Sequence, residues 1–187
     1  MQFTTRLLYE QISDRFIKVV WTHKTHECQA DIYREHNSRN KICLRILSVL
    51  TATGTIAALI DGLNSKWVAI ITAVVAAINL FFILTNSESN DEQKAIECRR
   101  FAAIMHDMRN QYESLLADIM NGQLTDEEIV KKRNALQERE NEIYTTDVPV
   151  TTPKAVKRAG VALNVKKEST TEAQERNIIL PSHLQLH

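Results

Sequence analysis

Two long apolar stretches stand out in an otherwise mixed chain. Residues 42–60 contain one charge, Arg45, and residues 67–84 contain none. Between them lies the polar turn Asp61-Gly62-Leu63-Asn64-Ser65-Lys66. At about 1.5 Å per helical residue each stretch reaches about 27–28 Å, close to the ~30 Å hydrocarbon layer of a bilayer. A soluble helix of that length carries a charged or polar face, which a run without charges does not supply. The pattern predicts a transmembrane helical hairpin over 42–84, with spans 42–60 and 67–84 and the turn at 61–66. A pair of core helices in a water-soluble bundle is the competing explanation.

The flanks bear on orientation. Arg39 and Lys41 precede the first span, and Arg45 is near enough to its end to snorkel to the headgroups. Lys94, Arg99 and Arg100 follow the second span, while the turn offers only Lys66. The positive-inside bias then places both termini in the cytoplasm of a multi-pass protein of the inner (cell) membrane. Trp67 opens the second span, where an indole anchors at the interface. Glu88, Asp91 and Glu92 are the charges nearest the second flank.

Outside the hairpin the spacing is helical throughout. Residues 3–39 lack Gly and Pro, and Ile12, Phe16, Val19, His23, His26, Ala30 and Tyr33 recur three or four apart. This predicts an N-terminal cytoplasmic helix over 1–41 that runs into the first span or breaks near Asn37–Asn40. A second helix over 91–122 carries a strict heptad seam: Cys98, Phe101, Met105, Met108, Tyr112, Leu115 and Ile119. The stripe of the first helix is its partner within the chain, in an antiparallel pair; an intermolecular coiled coil would use the same seam. After Asn121-Gly122, Thr125 and Glu128 form a capping box for a helix over 125–144, with Leu124 and Ile129 as a hydrophobic staple. Ile129, Leu136 and Ile143 give that helix a thin apolar edge. Thr152-Pro153 opens a short basic helix over 152–166, weakened at Gly160 by about 1 kcal/mol relative to Ala. Residues 168–187 are predicted to be a disordered tail, with Ile178-Ile179-Leu180-Pro181 as its one apolar spot. The fold class is therefore all-α: a transmembrane helical hairpin with long cytoplasmic helices forming an antiparallel, coiled-coil bundle.

Composition narrows the function more than it names it. The chain has 187 residues, room for one hairpin and one modest bundle, and 23 basic residues balance 23 acidic ones. No long-range field draws it to nucleic acid, so no direct nucleic-acid partner is expected. Residues 1–20 show no signal-peptide pattern, so the first span is expected to act as its own insertion signal. Cys28, Cys43 and Cys98 are expected to be reduced thiols.

Polar and small residues in the spans share faces: Ser48, Thr51 and Thr55 on the first, Thr72 and Asn79 on the second. Such faces pack helices within or between protomers, or line a water-filled path in an oligomer. One hairpin cannot enclose a channel, so a pore requires self-association. His23 and His26 lie on one helix face, but two ligands do not make a structural zinc set. They fit a polar layer fixing helix register, and no cofactor is expected. Phosphate loops, nucleophile elbows and HExxH are absent from the sequence, so an enzyme is not expected.

The string Trp21-Thr22-His23-Lys24-Thr25-His26-Glu27, followed by two spans, resembles the SLATT family of bacterial two-span proteins. So does the segment from Thr125-Asp126-Glu127-Glu128 through Ile143-Tyr144 to Pro149 and Thr152-Pro153-Lys154-Ala155. The likeness covers roughly residues 5–165. It implies a SMODS- and SLOG-associating two-transmembrane effector of a bacterial conflict or antiviral defence system. Such an effector oligomerises to form a pore or disrupt the membrane, and arrests an infected cell. The implied partners are the lipid bilayer, further copies of the chain, and a nearby-encoded sensor, nucleotide-signal synthase or reverse transcriptase. Two other functions compete: a membrane anchor that recruits a cytoplasmic partner without pore activity, and a soluble helical interaction module.

Overall fold

The computed structural model describes residues 3–59, 65–88 and 90–168; within these, the side chains of 3, 55, 57–59, 65, 68 and 85–88 lie outside the description. Five helices make up the described chain: α1 (Phe3–Leu59), α2 (Ser65–Glu88), α3 (Asp91–Met120), α4 (Asp126–Thr145) and α5 (Pro153–Asn164), with no strand among the described residues. Of the expected disordered tail, 168–187, Glu168 is described and sits in a turn, whereas 169–187 and most of the expected turn, 61–64, fall outside the described residues. The described residues form two compact units, a bundle drawn from Met1–Ala30 and Glu97–His187 and a hairpin from Asp31–Ile96.

α1 is one helix of 57 residues and does not break near Asn37–Asn40. Asn, Ser and His compete with helix when their side chains seek backbone groups. Here they have other partners. His36 Nδ1 meets Asp91 Oδ2, and the Asn37 amide donates to Glu92 Oε2 at 3.4 Å.

In the bundle, α3 runs antiparallel to α1: the His26 ring lies 4.5 Å from Phe101 and the His23 ring 5.2 Å from His106. α4 runs parallel to α1, with Thr5 donating to Asp126 at 2.7 Å and Arg133 to Gln11 at 2.9 Å. It runs antiparallel to α3, tied by Lys132–Asp118 at 3.0 Å and Arg139–Asp107 at 2.7 Å. α5 returns along α1 from Gln29 toward Trp21.

Every member of the heptad seam is at most 4% exposed. The seam packs with Leu8, Ile12, Val19 and Ile129, and Phe16, Leu136 and Ile143 cover it. The seam is thus satisfied inside the chain. Each such side chain taken from water contributes about 1.5–3 kcal/mol. Its one hydroxyl, on Tyr112, donates to Glu140 at 3.0 Å, and Glu140 in turn lies 4.0 Å from Arg15. Burial first, then the Glu140 charge, raises the tyrosine pKa, so the phenol remains the donor.

Local signals set the later helices. Glu128 N donates to Thr125 Oγ1 and Thr125 N to Glu128 Oε2, at 3.3 and 2.8 Å, closing the capping box of α4. α5 starts behind the Thr152 cap with Pro153 in its first turn. It ends at Asn164, two residues before the expected 166, because Lys167 turns into the left-handed region at φ 51° and Glu168 N reaches back to Ala162 O at 3.0 Å.

In the hairpin unit, α2 runs antiparallel to the second half of α1, with Asn79 opposite Ser48 and Thr72 opposite Gly54. Among the described residues no helix is long and apolar enough to cross a membrane. The expected spans 42–60 and 67–84 are therefore not delivered as membrane-crossing elements by this structure. Within α2 the apolar run is interrupted at Thr72 and Asn79.

Replacing Ile129, which is wholly buried, with Ala is expected to destabilise the bundle by about 2–5 kcal/mol. Thr125→Ala is expected to cost about 1 kcal/mol through the lost cap. Urea unfolding of a Trp67→Phe background, in which Trp21 reports on the bundle, measures both.

Candidate functional site

Two groups of polar residues sit where apolar ones would ordinarily pack. The first lies along the facing sides of α1 and α2. Thr51, Thr72 and Asn79 are half-buried and Ser48 is exposed, while the Thr55 side chain is outside the description. The Asn79 amide donates to Ser48 Oγ at 3.4 Å, a long bond, and Asn79 Oδ1 is buried with no hydrogen-bond partner among the described residues. Thr51 Oγ1 donates to Leu47 O at 2.8 Å, so this hydroxyl is engaged by its own helix. The closest approach is at Gly54, where an added Cβ would collide with Thr72 Oγ1. Gly54 was not among the expected face residues. Its signal was a lone Gly in an apolar helical run, three residues from Thr51 on the same side.

The opposite sides of these helices expose large apolar groups. Ile46, Val49, Ile56, Ile71, Phe81 and Leu84 are 56–65% exposed, and Trp67 at the start of α2 is 67% exposed. Arg45 is exposed on α1. At the other end of this unit Lys41 meets Glu92 at 3.0 Å and holds that carboxyl below the usual range, so the flanking positive charge is partly neutralised.

The second group is a buried polar layer in the bundle. His26 and Thr25 are almost fully buried on α1, Gln29 wholly so, and the His23 side chain is largely covered. Among the described residues, Nδ1 of both histidines and Nε2 of Gln29 find no hydrogen-bond partner. Burial lowers the His26 pKa from 6.5 to about 4. His23 is also lowered, by burial first; Glu27 opposes the shift, and His106, Arg109 and Lys24 add to it. The layer thus holds neutral imidazoles at neutral pH, His26 against Phe101 and His23 against His106. The structure brings Phe16, Val19, His23, His26, Phe101, Met105, Met108, Tyr112 and Leu115 into one bundle. No group of three or more metal-binding side chains occurs among the described residues. A groove of about 410 Å³ between α3 and α4, lined by Asn110, Gln111, Leu115 and Leu136, takes in only Leu115 of these.

In class, this is an all-α protein that combines a helical bundle with an antiparallel hairpin whose outer surface is apolar. The model of the SMODS and SLOG-associating 2TM effector domain family 4 matches residues 8–175, and the chain belongs to that family. No curated protein and no solved structure matches it.

Above pH 6.5 His26 is neutral in the folded and unfolded chain alike and adds no pH dependence. Below it the unfolded chain takes up a proton that the folded bundle refuses until about pH 4. Bundle stability should therefore fall as pH drops from 6.5 toward 4, and His26→Leu should flatten that slope. Urea midpoints between pH 7.5 and 4.5, compared for both proteins, check this; equal slopes would exclude the histidine as the cause.

Proposed function

We propose that the chain is a non-enzymatic membrane effector of a bacterial defence system, inserted through its hairpin and acting on the membrane as an oligomer when a partner signal reaches its bundle. The observation that carries this reading is the inverted surface of the hairpin. Many of its large apolar side chains are exposed, while Gly54, Thr72 and Asn79 lie between its helices, which suits lipid and not water. The family description, a two-transmembrane effector domain, supports the same reading. Arg45 and Trp67 are then interface anchors, both termini are cytoplasmic, and several hairpins surround a conducting path.

A second reading, a membrane anchor that recruits a partner without conducting, is favoured by one observation. The Thr51 hydroxyl is bonded to its own helix and Gly54 is closed against Thr72, as packing surfaces would be.

Induced expression in bacteria, followed with a potential-sensitive dye, separates the two. The effector reading expects loss of membrane potential and growth arrest once the system is triggered. Gly54→Leu and Asn79→Leu should each restore growth at unchanged protein level, because one forces the helices apart and the other removes the mid-helix amide. A polarised membrane in triggered cells would leave only the anchor.

A further inference from the structure

α5 is held on the bundle by different forces from the other helices. α1, α3 and α4 interlock through Leu, Ile, Met and Tyr side chains. α5 buries only Ala155, Ala159 and Ala162. An alanine methyl has little apolar surface to remove from water, so burial alone fastens this helix weakly.

Polar clasps act at its two ends. At the start, Gln29 Oε1 accepts from both Thr152 N and Thr152 Oγ1 at 2.8 Å. With α5 in place Gln29 is wholly buried, so both of these bonds are made out of water. Past the end of the helix, Lys24 donates to Glu168 Oε2 at 2.7 Å. Just before Glu168, Lys167 adopts a positive φ of 51°, a conformation that favours glycine, and Glu168 N bonds Ala162 O. Between the clasps, Gly160 lies under the Trp21 ring.

We propose that α5 is a releasable strap: clasped at Gln29–Thr152 and at Lys24–Glu168, it leaves the bundle before any other helix and uncovers Trp21 and Gln29 on α1. Its release is the step that arms the effector; this last clause rests on the function proposed above, whereas the strap itself does not. A helix whose fully buried side chains are three alanines, with Leu163 half-buried beside them and a polar clasp at each end, opens without unfolding the seam. It is therefore the element on which a partner signal can act at least cost.

Hydrogen exchange of the full-length purified chain tests the strap. Amides of 153–164 are expected to open independently of those of 101–119. Glu168→Gln removes the exposed clasp, and Gln29→Met removes the buried one while filling its place. Each should speed exchange in 153–164, the second by about tenfold, the change that loss of one buried hydrogen-bonded pair brings. Gly160→Ala should slow it, since an added Cβ meets the Trp21 ring at 3.5 Å, ordinary contact, and alanine favours helix. Should Gln29→Met speed exchange across the whole bundle, Glu168→Gln decides. Equal protection of 153–164 and 101–119 in wild type, or no response to Glu168→Gln and Gly160→Ala, overturns the strap. In cells, Glu168→Gln should hasten growth arrest and Gly160→Ala delay it. If exchange shifts as expected while arrest does not, the arming role falls and the strap stands. If wild type arrests nothing, the failure belongs to the proposed function.

Discussion

Everything in the bundle depends on the seam between α1 and α3. His26 and Phe101 touch yet lie far apart along the chain, so their contact closes a long loop and must repay that entropy. It does so with an unbroken row of apolar side chains, from Cys98 to Ile119, each at most 4% exposed. α4 and its capping box add a third wall. Where the row admits polarity it is answered: the Tyr112 hydroxyl donates a hydrogen bond to Glu140. Where it is not answered, at His26 and Gln29, the cost appears as a depressed imidazole pKa and an idle amide. Those are the places at which pH and α5 act on the fold.

The two units apply one force in opposite senses. The bundle turns Ile12, Met105 and Ile129 inward and leaves charged groups outside, as water demands. The hairpin turns Ile46, Ile71 and Phe81 outward and brings Gly54, Thr72 and Asn79 between its helices. Small residues allow backbones to approach when no hydrophobic gain drives them together. The contact is tight at Gly54 and loose at Asn79, whose oxygen stays unpaired among the described residues. That asymmetry matters for any oligomer built from this hairpin, since the amide is the group with bonding capacity to spare.

The seam was legible from its heptad spacing, which left its partner open between a second copy and the α1 stripe; Ile12, Phe16 and Val19 of that stripe cover it within the chain. The α4 start was legible for a similar reason, as Thr125, Glu128 and Leu124 fit one local geometry. Other features were hidden by physics that spacing does not carry. The continuity of α1 through Asn37–Asn40 depends on Asp91 and Glu92, residues far along the chain that occupy the side chains of His36 and Asn37. The end of α5 depends on a left-handed Lys167, where sequence favours glycine. Gly54 reads as a mild helix defect until its neighbour across the hairpin is known. The partner of Gln29, Thr152, lies 123 positions away, and nothing local to either residue announces it.

The central claim is that the outward apolar surface of α1 and α2 meets lipid. Site-directed labelling of Lys66→Cys, in a chain with Cys28, Cys43 and Cys98 replaced by Ser, tests it most directly. If the proposed insertion holds, a membrane-impermeant maleimide added to intact cells labels position 66, since with both termini cytoplasmic Lys66 would face the opposite side. Labelling only after lysis, with the chain released into the carbonate supernatant, would contradict the account.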